Sequence, residues 1–314
     1  MFLQHMSLSE SSHRTYQNGK AAYLSFCAEH TLSPFPASES NLCLFVSYLA
    51  RNVSYATTRT YIAAVRYWNI KLGFPTKFED MTYLRMTIRG IKRVNGLTKR
   101  EKKLPITIDL MKQLKNQLRV SSFTDKDKIM LWCAFTLAFF GFLRSSEFCC
   151  PTSHTFDPSS CLLVRDTSVS TASATVMIKV SKTDPFHTGN LLRFIPSGTS
   201  ICPVKALNKH IVSCKQPEMP LFRFEDNSFL TRQKLTESLQ QLLHTIPENK
   251  NLYTSHSFRI GAATTAAAAN VPSWLIKRLG RWSSDCFERY IRPSVTENDA
   301  SSNILARSRG TSAQ

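Results

Sequence analysis

Acidic residues are scarce: 22 Asp and Glu stand against 40 Lys and Arg in 314 residues, giving a formal net charge of +18. Such an excess favours a polyanionic partner, either nucleic acid or an anionic membrane surface. Long apolar runs are also lacking. The best candidate, 131–143, is too short to span a bilayer, contains Gly141 and stops at Arg144. The opening Met1-Phe2-Leu3-Gln4-His5 has neither the basic start nor the apolar stretch of a signal peptide. The expectation is a chain that is neither secreted nor membrane-bound, which leaves nucleic acid as the partner.

Other absences narrow the chemistry. The sequence contains no C-x-x-C, and the adjacent Cys149 and Cys150 are awkward ligands for a structural zinc. Nine cysteines, an odd number without a secretion signal, read as reduced thiols acting as buried small hydrophobes. There is no Gly-rich nucleotide loop, no G-x-S-x-G and no acidic metal cluster. The reaction is therefore expected to need no metal, ATP or other cofactor.

The apolar fraction of 42% is ordinary for a globular protein, and 314 residues suffice for two domains. Residues 1–98 read as all-helical. Ser11 or Ser12, Ser38 and Ser54 can cap the first three helices, and Leu84, Ile88 and Ile91 mark a fourth. Tyr61 and Trp68 read as core. Arg59, Arg66, Arg85, Arg89, Lys92 and Arg93 lie on the same segments, either as a solvated face or as a phosphate-tracking one, and the overall charge favours the latter. Residues 99–105, with Lys99 and Arg100 after Asn95-Gly96, read as a basic linker.

The second domain, 106–314, starts with a helix capped by Thr107 and a strongly apolar helix over 125–142, with Arg144 and Glu147 just beyond its end. Strands are expected at 161–164, 174–180 and 191–195, with Lys182 on the turn between the last two and Lys179 as its rival. Helices follow from Pro203 to about Cys214 and over 231–246. The stretch from Thr254 holds His256 and Arg259, three apart and thus on one helix face, then Leu279-Gly280-Arg281-Trp282 and Arg289-Tyr290-Ile291-Arg292. Gly280 stands where a helix C-cap belongs. A histidine, several guanidiniums and a tyrosine form a plausible kit for a phosphodiester, since arginine offers planar paired donors and tyrosine a nucleophile.

Arg144-x-x-Glu147, Lys182 on a hairpin, His256-x-x-Arg259, Leu279-Gly280 and Tyr290 occur in the order and at the separations of the tyrosine recombinase signature. The chain thus resembles the phage integrase, Cre and Xer family. The Gly280-Arg281-Trp282-Ser283-Ser284 and Arg289-Tyr290-Ile291-Arg292 phrases look like recombinases of DIRS- or Crypton-type eukaryotic mobile elements. The resemblance implies a mainly α protein: a four-helix, SAM-like core-binding domain followed by an α+β catalytic domain with a small antiparallel sheet. It implies a phosphate clamp of Arg144 and Arg259, a proton acceptor or hydrogen-bond donor in His256, an orienting acid in Glu147 and a leaving-group acid in Lys182. Tyr290 would be the nucleophile, forming a 3′-phosphotyrosyl bond. One departure stands out. The family places a His or Trp nine residues before the tyrosine; here Arg281 is nine before and Trp282 eight before. Trp282 is the choice, because an indole N–H can donate to a phosphate oxygen, with Arg281 as the alternative.

The function so implied is site-specific recombination of double-stranded DNA by a homotetramer on paired sites, with a C-terminal tail carrying Ile304-Leu305-Ala306 exchanged between protomers. Relaxation of DNA in the manner of a type IB topoisomerase, or non-catalytic DNA binding, are the alternatives. The place of action would be the nucleus in a eukaryote, otherwise the cytoplasm or nucleoid.

Overall fold

The computed structural model describes residues 7–75, 77–95, 101–184, 186–244 and 249–291. Packing divides the chain into two compact units, Met1–Arg100 and Glu101–Gln314. The expected residues Lys99, Arg100, Arg292 and 304–306 lie outside the described residues.

The first unit is built from α1 (Glu10–Glu29), α2 (Glu39–Leu49), α3 (Tyr55–Lys71) and α4 (Thr82–Asn95). Ser38 and Ser54 cap α2 and α3 as expected, each accepting from the amide three residues on. The first cap is Ser9 rather than Ser11 or Ser12, its hydroxyl accepting from Ser12 N. Apolar residues at helical spacing turn Tyr23, Phe26, Leu42, Phe45, Val46, Val65 and Leu84 into one core. Tyr61 packs against that core, while Trp68 is half-buried with Lys20 Nζ 3.9 Å from its ring centroid. On α4, Leu84 and Ile91 point inward, and Arg85, Arg89, Lys92 and Arg93 are exposed together on another face.

The second unit centres on α6 (Asp125–Phe140), preceded by α5 (Ile108–Val120). Met130, Leu131, Cys133, Ala134, Phe135, Leu137 and Ala138 of α6 are fully buried. Each large apolar side chain so buried contributes roughly 2 kcal/mol, so the helix has one available position and its end is fixed in space. The helix stops two residues before the expected Phe142. Phe142 takes a left-handed conformation with φ 49°, and Leu143 N closes the turn on Ala138 O at 3.0 Å. The segment read as a linker belongs in part to this unit: Leu104 N and Ile106 N donate to Leu252 O and Ser257 O.

Strands β1 (Thr167–Val169), β2 (Ala174–Ile178) and β3 (Asn190–Phe194) form an antiparallel sheet in the order β1-β2-β3. The strand expected at 161–164 is absent. The Asp166 carboxylate accepts from Leu163 N at 2.7 Å and draws 164–166 into a tight 3-10 turn, so β1 starts later. Helices α7 (Pro203–Ile211), α8 (Arg232–Leu242), α9 (Ser257–Ala268) and α10 (Ser273–Leu279) follow, and a 3-10 segment spans Asp285–Tyr290. Thus α7 and α8 are shorter than expected. The small residues of α9 permit close approach: a Cβ on Gly261 would lie 1.8 Å from Ile106 O, so only glycine fits there. All nine cysteines are free, but Cys286 is exposed and Cys43 and Cys214 are half-buried, so the reading of all nine as buried hydrophobes fails for these three.

Candidate active site

The end of α6 supplies the first part of the site. The left-handed Phe142 costs about 1–2 kcal/mol of backbone strain. Burial of its ring, edge-on to Trp282 at 6.2 Å, offsets that. The turn sends Arg144 back over Glu147. Arg144 Nη1 lies 3.0 Å from Glu147 Oε1, and Arg144 N donates to Oε2 at 2.9 Å. The Glu147 side chain is 0% exposed and also takes Arg281 Nη2 on Oε2 at 2.7 Å. A carboxylate this buried is tolerable only when paired and fully hydrogen-bonded. The Arg144–Glu147 pair is therefore no loose surface contact.

Helix α9 supplies the second part. His256 is its N-cap and Arg259 its third residue. Arg259 is 0% exposed. Its Nη1 donates to Phe142 O and its Nη2 to Gly280 O, while its Cζ sits 4.0 Å from the Trp282 ring centroid and 5.8 Å from that of Tyr290. Burial, and after it the charge of Arg144, pulls this guanidinium down to about 9, which leaves it cationic at neutral pH. His256 is pulled down to about 4 by burial and then by the charges of Arg259, Arg144 and Arg232. It is a neutral imidazole at pH 7, able to accept a proton. Its ring lies 5.1 Å from that of Tyr290.

The segment after α10 closes the cluster. Gly280 occupies the expected cap position, but with φ −81°; the left-handed residue is Arg281, at φ 55°. Glycine is required at 280 for another reason: a Cβ there would stand 1.7 Å from the Trp282 ring. The indole fills that gap and meets Tyr290 at 5.2 Å between centroids. Phe287, buried, and the Lys277–Asp285 ion pair at 2.8 Å anchor the 3-10 segment that carries Tyr290. Thr264 Oγ1 of α9 donates to Tyr290 O at 3.0 Å, fixing its backbone beside His256.

The structure thus gathers Arg144, Glu147, His256, Arg259, Trp282 and Tyr290. Lys182 stands apart, exposed on the turn between β2 and β3. Its rival Lys179 is committed elsewhere, 2.6 Å from Asp166 Oδ2 and donating to Pro158 O and Cys161 O. Tyr253, three residues before His256, is 4% exposed and part of the core. In the first unit Arg59, Arg66, Arg85, Arg89, Lys92 and Arg93 are all exposed, and Arg66 is paired with Glu79 at 2.5 Å. Two residues escaped the sequence reading. Arg281 was weighed only as a phosphate ligand, whereas its guanidinium faces Glu147. Arg232, exposed at the start of α8, acts on His256 through its charge; one surface cation among 40 carries no signal of its own.

Among the described residues, three buried donors of this cluster have no acceptor: Arg259 Nε, Arg281 Nε and Trp282 Nε1. An unmet buried donor costs about 1–3 kcal/mol. The two on Arg259 and Trp282, whose side chains touch, make the cluster suited to an anionic oxygen group.

A helical unit followed by a second unit with a small antiparallel sheet is the fold of the tyrosine recombinases, which the chain has over more than nine-tenths of its length. The particular likenesses are these. XerH site-specific recombinase in its post-cleavage complex with palindromic difH superposes with a TM-score of 0.65 at 14% identity, over 94% of this chain and 79% of that one. The Tn1549 transposon integrase in complex with transposon right end DNA gives 0.58 at 13%, over 92% and 93%. A lambda integrase dimer bound to a COC′ core site gives 0.56 at 10%, over 91% and 72%. In sequence, an integrase/recombinase xerD homolog of Selenomonas ruminantium is 23% identical over 298 residues, 91% of this chain and 82% of that protein. No protein-family profile matches.

Proposed function

We propose that this protein is a site-specific DNA recombinase that cuts and rejoins strands through Tyr290. The observation that carries the reading is the pair of buried, acceptor-less donors on Arg259 and Trp282, next to a neutral histidine in contact with a tyrosine ring. Charge builds on the non-bridging oxygens of a phosphodiester under attack, and preorganised cations stabilise that charge more than any other single device. Arg144, partly exposed, meets the phosphate first, and Arg259 holds positive potential beneath it. His256 takes the phenol proton as Tyr290 Oη attacks phosphorus. The bond to the 5′ oxygen breaks, and Lys182 gives that oxygen a proton. The 3′-phosphotyrosyl bond keeps the energy of the diester, so a 5′-hydroxyl from a second strand reverses the step without an energy source. Trp282 donates to a phosphate oxygen, and Glu147 fixes Arg144.

The exposed cations Arg59, Arg85, Arg89, Lys92 and Arg93 hold the duplex against the first unit, with Arg66 a weaker contributor because of Glu79. Exchange between two duplexes requires four such sites, so the working form is a homotetramer on paired sites. The likeness in fold to a transposon integrase supports a role in moving a DNA element.

The test is a pool of duplexes of randomised sequence, nicked so that the fragment beyond the cut diffuses away. Wild type is expected to form a covalent adduct at a 3′ phosphate in the presence of EDTA. Tyr290→Phe should bind the pool and trap nothing, while Tyr253→Phe should still trap. An adduct that persists in Tyr290→Phe, or one on a 5′ phosphate, overturns the assignment. Sequencing the captured DNA defines the target.

A further inference from the structure

Arg281 is placed as no surface arginine is. Its backbone is left-handed, its side chain is 10% exposed, and each end of the residue holds a different part of the site. On one side Nη2 pairs with Glu147 and Nη1 donates to Gly141 O at 3.0 Å. This ties the 280–282 turn to the turn that orients Arg144. On the other side the Arg281 carbonyl accepts from Thr183 Oγ1 at 3.2 Å. Thr183 is the neighbour of Lys182 and sits on the otherwise exposed turn between β2 and β3. The left-handed conformation lets both ends work at once. It turns the guanidinium in, toward Glu147, while the carbonyl faces out, toward the hairpin.

We propose that Arg281 is a positioning residue that couples the two halves of the reaction: through its guanidinium it sets Arg144, and through its carbonyl and Thr183 it latches the Lys182 turn over the scissile bond. The proposal rests on the recombinase reading, and in particular on Lys182 as the donor of a proton to the departing 5′ oxygen. It assigns Arg281 no contact with DNA. The residue nine places before the tyrosine therefore serves the site from behind, and the two arms of the latch fail differently when cut. Loss of the Thr183 hydroxyl leaves the arginine cluster intact but lets the lysine turn drift, so only leaving-group protonation suffers. Loss of the guanidinium leaves the carbonyl latch intact but frees Glu147, so stabilisation of the phosphate charge suffers.

A duplex with sulfur in place of the bridging 5′ oxygen separates the two, because a thiolate departs without being protonated. Cleavage of a nicked duplex captured from the randomised pool, resynthesised with oxygen or sulfur at the mapped scissile step, is measured for wild type, Thr183→Val, Thr183→Ser, Arg281→Asn and Arg281→Lys. Asparagine is chosen because it tolerates a left-handed backbone. On oxygen DNA, Thr183→Val is expected to lower kcat about tenfold with KM unchanged, a part of the effect of a general acid. Sulfur DNA should restore it, and Thr183→Ser should match wild type. Arg281→Asn is expected to lower kcat about a hundredfold on both DNAs, and Arg281→Lys should not restore it, since a point charge cannot fork between a carboxylate and a carbonyl. Wild-type rates in Thr183→Val, or recovery of Arg281→Asn by sulfur, would overturn the coupling while leaving the recombinase reading standing. If wild type captures no duplex from the pool, the recombinase reading fails and the coupling with it. Thr183 is exposed, so its variants fold and decide one arm even if Arg281→Asn does not.

Discussion

The guanidinium of Arg259 lies over the indole of Trp282, Cζ 4.0 Å from the ring centroid, in a place that solvent does not reach. A buried cation against an aromatic face gains about 2 kcal/mol when both are desolvated. Arg259→Ala and Arg144→Ala are each expected to abolish covalent adduct formation with little change in affinity for DNA, since a net charge of +18 is spread along the whole chain. Arg259→Ala should also lower stability, whereas Arg144→Ala should do so less. Filter binding beside the trapping assay checks the first point, and urea denaturation the second. Loss of binding with cleavage intact would remove Arg144 from the site.

Glu147 is a buried anion between two guanidiniums, that of Arg281 nearly buried and that of Arg144 partly exposed. Glu147→Gln leaves Arg144 and Arg281 facing a neutral amide, and removal of one member of a buried ion set costs about 3–5 kcal/mol. Urea unfolding should register that loss. A change below about 1 kcal/mol would place the pair among weak surface contacts.

The gap at Gly280 is filled by Trp282. Gly280→Ala forces the indole to move, at a cost of about 1–3 kcal/mol as in other overpacked cores. Because Trp282 touches both Arg259 and Tyr290, cleavage should fall more than DNA binding. A fully active Gly280→Ala would show that the indole has no share in placing either residue.

The depressed His256 makes a pH prediction. A histidine held at about 4 in the folded chain against 6.5 when exposed binds fewer protons folded than unfolded. Stability is therefore highest above pH 6.5 and is lost as the pH falls from there to about 4, by roughly 3 kcal/mol for this one group. His256→Phe should flatten that limb of the stability curve. Cleavage, which needs the neutral ring, should persist well below pH 6 in wild type. An acid limb of kcat/KM, which reports the free protein, centred near 6.5 would show that His256 is not the proton acceptor.

The parts of this site that were legible in the sequence are those set by local pattern. Arg144 follows a helix too apolar to sit anywhere but the core, and His256 with Arg259 share one turn of another helix. Serine and threonine caps marked three helix starts correctly. What escaped depends on contacts between distant segments. Nothing near Arg281 announces a left-handed residue, because its conformation follows from the indole lying on Gly280. The sequence leaves Lys182 and Lys179 as rivals, and the pairing of Lys179 with Asp166 is a contact between segments 13 residues apart that neither pattern announces. The same aspartate displaced the first strand, an outcome that the apolar run at 161–164 could not foretell.

The carbonyls that fix Arg259 come from Phe142 and Gly280, 117 residues before it and 21 after it in the chain. Such a junction is among the last to form, since the loops it closes must be ordered first. A growing chain can therefore complete its helical first unit, with that unit's own core, while the Arg259 junction is still open. Trp282 and Tyr290 join the cluster later still, so a chain released before residue 280 keeps Arg144 and Glu147 but lacks the carbonyl that holds Arg259 Nη2.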